Sequence, residues 1–292
     1  MIARSGLLLV DKPQGPTSHD VVARSRRIFH EKKIGHAGTL DPMATGLLAL
    51  AVGSATRLLR FVQSETKIYS GTVRLGVATD SLDADGAVIA TAEVPELNEA
   101  LVAAAALRLT GPQMQVPPMV SAIKVGGRRL YEIAREGGEV VREARSITID
   151  SFDLAPTAER DVWTFRTTCS TGTYVRVLLS DLAESLGTLG HLTALRRESS
   201  GSHSVSNAWA LENLERAVIE GQNVLLPPLE MVAHLPRAVA RGETLVSLRF
   251  GKQVDLDELQ GADEGAVVDA SGSLVAIVHR RDDRYQPDVV LA

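Results

Sequence analysis

Strand-period and helix-period segments follow one another along this chain in no regular alternation, and that irregularity limits its fold most. Gly6 to Val10 is a short apolar run ended by the turn signal Asp11-Lys12-Pro13-Gln14-Gly15-Pro16, and Val21, Val22, Ser25, Ile28 and Phe29 then fall at helical spacing behind Ser18 as cap. Leu47 to Val52 is again apolar and of strand length, and Ser54 opens a helical segment with Leu58, Leu59 and Val62 on one face. Tyr69, Gly71, Val73 and Leu75 alternate with Ser70, Thr72 and Arg74, and Asp85-Gly86 turns the chain into a hairpin arm at Ala87 to Ala92. An alanine-rich helix at Asn98 to Leu109 leads to a proline-punctuated connector at Gly111-Pro112 and Pro117-Pro118, and then to a helix around Leu130 to Arg135. Ser146 to Leu154 and Val162 to Cys169 are β-rich, and Val175 to Leu186 reads as a helix. A doubly wound parallel sheet needs strict strand and helix alternation. The expected class is therefore α+β, with a mixed, mainly antiparallel sheet and flanking helices.

A chain of 292 residues exceeds what a single core usually serves, so two domains are expected. Pro227-Pro228 to Pro236 has the composition of a boundary, and beyond it Leu245 to Phe250, Ala266 to Asp269 and Leu274 to His279 carry strand signals. The expected division is residues 1–230 and a small β-rich domain at 231–292. Cys169 is the one cysteine, which excludes an internal disulfide and a multi-cysteine zinc site and fits a reducing compartment. No run approaches 18 apolar residues and the first ten hold too short a run for a signal peptide, so a cytoplasmic protein without membrane insertion is expected.

A formal net charge of −5 does not by itself suggest a binder of polyanions. Residues 242–292, however, hold 5 basic and 10 acidic side chains, so the excess lies in the tail and the rest is balanced. Within the balanced part, Arg24, Arg26, Arg27, Lys32 and Lys33 stand against Glu31, and Lys124, Arg128, Arg129 and Arg135 against Glu132. Such clusters are either solvated helix faces or phosphate contacts.

The first cluster runs into Gly35-His36-Ala37-Gly38-Thr39-Leu40-Asp41-Pro42. Its glycines admit backbone angles that a Cβ resists, and Pro42 pushes Asp41 toward extended geometry, so the carboxylate is held in a loop beside a histidine and a hydroxyl. A phosphate-binding Gly-x-x-x-x-Gly-Lys-Ser/Thr loop, a dinucleotide fingerprint, a His-Glu-x-x-His helix and a Gly-x-Ser-x-Gly elbow are all missing, and the seven histidines have no metal spacing. Carboxylates, tyrosines and arginines remain as the candidates for chemistry.

The Gly35 to Pro42 string closely resembles the motif bearing the nucleophilic aspartate of the TruB family of tRNA pseudouridine synthases, with Ala37 where that family commonly has Thr. Four further segments are similar to family motifs and occur in the family's order: Leu9 to Ser18, Lys67-Ile68-Tyr69 with Leu75-Gly76, Pro117 to Lys124 continuing to Tyr131, and Cys169 to Arg176 followed by Leu195-Arg196-Arg197. The resemblance spans roughly residues 6–200. In position and pattern the tail resembles the PUA-like module at the carboxyl end of many such synthases.

This resemblance implies a pseudouridine synthase core acting on the T-loop uridine of tRNA, number 55 in the tRNA convention. It implies Asp41 as nucleophile or base, Tyr69 as stacker and later base, Arg176 as partner of the carboxylate, and His36, Tyr174, Leu195 and Lys12 as substrate-binding residues. Arg176 begins a helix, an electrostatically poor place for a cation, which invites a carboxylate; an Asp41 to Arg176 ion pair would keep Asp41 ionised. The target is hidden in folded RNA and must be flipped out, with His36 filling the vacated space. No cofactor, metal, guide RNA or protein partner is implied, and a monomer is the simplest assembly.

Overall fold

The computed structural model describes residues 5–63, 66–121, 124–130, 133, 136–138 and 140–291. Ala122, Ile123, Tyr131, Glu132 and Arg135, which belong to the expected connector, helix and second basic cluster, lie outside the described residues.

In chain order the elements are β1 (Gly6–Lys12), α1 (Ser18–Phe29), β2 (Ile34–Ala37), β3 (Thr45–Val52), α2 (Leu59–Gln63), β4 (Lys67–Leu75), β5 (Val77–Thr79), β6 (Val88–Thr91), α3 (Glu99–Arg108), β7 (Gly111–Gln115), β8 (Lys124–Val125), β9 (Arg128–Arg129), β10 (Arg145–Pro156), β11 (Val162–Cys169) and α4 (Val175–Ser185). They continue as β12 (Gly190–Ser200), β13 (His203–Ser204), β14 (Trp209–Ala210), α5 (Leu211–Ile219), β15 (Arg237–Val239), α6 (Gly242–Arg249), β16 (Glu264–Val268), β17 (Leu274–Arg281) and β18 (Arg284–Val290). The class is α+β, as the irregular alternation requires.

Packing divides the chain into two compact units, one of residues 1–41, 47–64 and 207–292 and one of residues 42–46 and 65–206. In the first unit β1 pairs in parallel with β14, and β2 pairs antiparallel with β3, matching His36 to Leu50. Leu7, Leu8, Val10, Leu47, Leu48 and Leu50 are fully buried, which explains why these strands read as continuous apolar runs rather than alternating ones.

The same unit contains the C-terminal sheet, ordered β15-β16-β17-β18, parallel in its first pair and antiparallel in the others. Its core gathers Ala238, Leu248, Val254, Leu259, Val267, Ala276, Val278 and Tyr285. Arg57 donates to the Val290 carbonyl at 2.6 Å, and Arg60 pairs with Glu264 at 3.3 Å and with Asp288. These contacts tie the sheet to the 3-10 turn and to helix α2, which follow β3.

In the second unit β12, β4, β11, β10 and β7 lie side by side, each antiparallel to its neighbour. Thr45 and Gly46, the start of β3, pair in parallel with Arg196 and Arg197 of β12. Two close approaches set this packing. A Cβ on Gly71 would stand 1.9 Å from the Ala194 carbonyl oxygen, and one on Gly46, whose φ is +99°, would stand 2.3 Å from that of Arg197.

Several local expectations are corrected. Thr17, not Ser18, caps α1: its side chain accepts from Asp20 N and Asp20 accepts from Thr17 N, a reciprocal capping box. Ser54 does not cap a helix but lies in a 3-10 turn, its hydroxyl 2.9 Å from that of Ser5. The Gly111-Pro112 connector is an edge strand, where a proline's missing N–H is tolerated. Leu245 to Phe250 is helical, because Leu245 and Leu248 at a spacing of three turn toward the C-terminal core. The first half of the Gly35 to Pro42 segment is strand β2 rather than loop.

Candidate active site

In the first unit, Lys12 ends β1 with its side chain fully buried, and its ammonium donates to the carbonyls of Pro13 at 3.0 Å and Pro16 at 2.8 Å. A buried cation is tolerable only when its donors are used. Here they draw in a turn whose Gly15 has φ +106°. That turn delivers the chain to α1, and α1 to the carboxylate loop. The buried Ser18 hydroxyl accepts from Leu40 N at 2.8 Å and lies 3.1 Å from Leu40 O as donor. Both backbone groups of the residue before Asp41 are therefore fixed by one side chain, while Gly38 at φ +86° makes the bend out of β2. Leu40 is buried and Asp41 half-buried, so the carboxylate stands at the edge of a rigid segment. At the other end of the segment, Arg26 donates to the Ile34 carbonyl at 2.9 Å, so one member of the expected basic cluster serves the fold.

In the second unit, Tyr69 lies on β4, nearly buried, with Thr167 and Arg197 as its strand partners. Leu195 lies on β12 opposite Gly71, and its carbonyl accepts from the Thr45 hydroxyl at 3.4 Å. Tyr174 is the half-buried N-cap of α4, and no side chain of its own caps the helix. The buried amide of Gln115 holds its backbone instead, accepting from Tyr174 N at 2.8 Å and donating to Tyr174 O at 3.2 Å.

Arg176 is buried in the first turn of α4. Its guanidinium donates to Asp83 Oδ2 at 3.0 Å, to Ser81 O at 2.8 Å and to Val120 O at 2.9 Å. Asp83 in turn accepts from the Ser81 hydroxyl at 2.5 Å and from Asp85 N at 3.1 Å. Within its own unit the carboxylate beside this cation is Asp83, which the family-like motifs do not include. The signal was present in Asp80-Ser81-Leu82-Asp83-Ala84-Asp85-Gly86, but three aspartates in a turn look like ordinary turn chemistry. The chain passes from one unit to the other between Asp41 and Pro42. Asp41, His36 and Lys12 belong to the first unit; Tyr69, Tyr174, Arg176 and Leu195 belong to the second.

Beside these residues, the Cys169 thiol is pushed up to about 11, first by burial, so it is a core thiol at neutral pH. Among the described residues, no group of three or more His, Cys, Asp and Glu is placed to hold a metal ion. No helix among them is long and apolar enough to cross a membrane.

The sequence matches the profile described as TruB family pseudouridylate synthase (N terminal domain) over residues 26–175. Curated relatives named tRNA pseudouridine synthase B extend the match: 42% identity with that of Streptococcus pneumoniae serotype 4 over 99% of this chain and all of the relative. The one from Opitutus terrae is 51% identical over 72% of this chain and 87% of its own. The chain belongs to the TruB family. Solved structures agree on the fold: a Cbf5-Nop10-Gar1 complex contains a chain matching with a TM-score of 0.74 at 23% identity, over 98% of this chain and 84% of that one. The archaeal box H/ACA Nop10-Cbf5 complex matches at 0.73 and 22%, over 98% and 85%. For this TruB-family enzyme the mainly antiparallel core and the strand-rich PUA-like tail are thus established as the fold.

Proposed function

We propose that this pseudouridine synthase converts uridine 55 in the T-loop of tRNA to pseudouridine, as a cytoplasmic monomer without guide RNA, protein partner or cofactor. The reaction breaks the N1–C1′ bond and forms C5–C1′, while one proton leaves C5 and one is gained at N1. It is redox-neutral, so a nucleophile and proton transfers suffice. Asp41 is the acting carboxylate, by attack on C1′, removal of a proton from C2′, or attack on C6. Arg176 supplies the cation that keeps it ionised, and Tyr69 stacks on the detached uracil and takes the C5 proton. His36 fills the space left by the flipped nucleotide, Tyr174 and Leu195 line the path of the substrate, and the buried Lys12 serves binding by holding the turn that leads into α1. Residues 1–230 form the catalytic domain and 231–292 the PUA-like one.

The observation that carries this reading is the clamp on Leu40, which leaves the next residue, Asp41, presented from a fixed backbone within a family-specific string. The names of these relatives support tRNA as substrate. Exposed Arg27, Lys32 and Lys33 beside the segment suit a phosphate backbone, whereas the tail's Arg284 is spent on Asp255 and Arg280 on Asp283. The test is to incubate the purified protein alone with an unmodified tRNA transcript and map pseudouridine by carbodiimide primer extension. A single stop at the T-loop uridine is expected. No stop there, or one that requires an added guide RNA or protein, contradicts the reading.

A further inference from the structure

The first turn of α1 reaches the Gly35 to Pro42 segment with two successive side chains. Ser18 holds Leu40, as described. The next residue, His19, meets His36: the ring centroids are 5.3 Å apart and the planes cross at 79°, an edge-to-face pair. His19 is exposed and His36 half-buried, so one imidazole covers part of the other from the solvent side. The turn that carries His19 is itself rigid, because the Thr17 and Asp20 capping box closes over it with bonds of 2.9 and 3.1 Å.

The backbone of His36 is fixed by its pairing with Leu50, and the torsions of its side chain are set by what the ring touches. A group that must enter RNA in one orientation loses rotamer freedom on binding. An edge-to-face neighbour removes part of it beforehand, with a preference corresponding to about two- to tenfold.

We propose that His19 is a positioning residue for His36: through the edge-to-face contact it holds the imidazole in the orientation with which His36 meets the flipped nucleotide. The inference rests on the reading of His36 as a substrate-binding residue. It makes α1 a two-point clamp, with Ser18 setting the backbone beside Asp41 and His19 setting the ring of His36.

A double-mutant cycle on the full chain tests this, using His19→Ala, His36→Ala and the double variant, with single-turnover rates on unmodified tRNA transcript under excess enzyme so that slow reactions remain readable. His19→Phe keeps a ring at the contact and carries no ionisable group. The expected result is a two- to tenfold slower rate for His19→Ala at unchanged melting temperature and substantial recovery in His19→Phe. In the His36→Ala background, adding His19→Ala should cost nothing further. A wild-type rate in His19→Ala, no recovery with Phe, or effects that multiply in the double variant would each overturn the positioning role while leaving the synthase reading intact. A wild-type protein that makes no pseudouridine at all would overturn that reading and this one with it.

Discussion

Arg176 and Asp83 form a buried ion pair, Nη1 to Oδ2 at 3.0 Å, with side chains 4% and 7% exposed. A pair so enclosed gains net stability only when its remaining donors and acceptors are also satisfied. Here the guanidinium also reaches two backbone carbonyls, and the carboxylate takes a hydroxyl and an amide. The pair locks the Thr79 to Gly86 turn to the start of α4 and fixes the direction of Arg176. Replacing Asp83 by Asn removes the buried carboxylate that the guanidinium meets at 3.0 Å. The expected cost is about 3 to 5 kcal/mol of stability, read from denaturant unfolding, with a lower single-turnover rate. Arg176→Lys should also fail, since an ammonium cannot span the same three acceptors.

Ser18→Ala removes both hydrogen bonds to Leu40 and leaves its buried N–H unsatisfied. Stability should fall by about 1 to 3 kcal/mol, and the rate should fall at saturating tRNA, because the segment before Asp41 loses its anchor. Unchanged kcat in a measurably destabilised variant would separate the clamp from the chemistry.

Glycines with positive φ are not equivalent here. Gly46→Ala forces a methyl to 2.3 Å from the Arg197 carbonyl oxygen, whereas a Cβ at Gly172, φ +84°, meets nothing within 4 Å. Gly172→Ala should cost only the backbone strain, about 1 kcal/mol. Gly46→Ala should cost more than that and disturb the pairing of β3 with β12, visible as loss of hydrogen-exchange protection in both strands.

Much of the core was legible because its signals were local. Buried β1 and β3 are plain apolar runs, β4 alternates, and α3 fills the alanine-rich run from Asn98 to Leu109. What was missed depends on distant partners. β12 contains His191, Arg196, Arg197, Glu198 and three serines or threonines within Gly190 to Ser200, a composition without strand character. It is a strand because β4 lies along it, and Arg197 is almost wholly buried there. Leu245, Val246, Leu248 and Phe250 fit either period, and packing decided for helix α6. The Asp41 string stands out through its resemblance to the family motif, but Asp83 does not, since only the fold brings it to Arg176, 93 positions further along the chain.

Cys169 gives a prediction in pH. Its folded-state value of about 11 lies above the ordinary 9.0, so the folded chain binds more protons than the unfolded chain between these values. The corresponding stability is fully present below pH 9 and is lost as pH rises toward 11. The difference in unfolding free energy between wild type and Cys169→Ala should therefore shrink across that window and stay constant from pH 6 to about 8. A constant difference throughout would show that the thiol is not desolvated.

The proposed chemistry depends first on Asp41 being the acting carboxylate. The most direct measurement is the single-turnover yield of pseudouridine from unmodified tRNA transcript by wild type and Asp41→Asn, with tRNA affinity measured in parallel at the same ionic strength. Product is expected from wild type and none above background from Asp41→Asn, with affinities within a few-fold of each other. Turnover retained in Asp41→Asn, or its loss explained by lost binding, would contradict it.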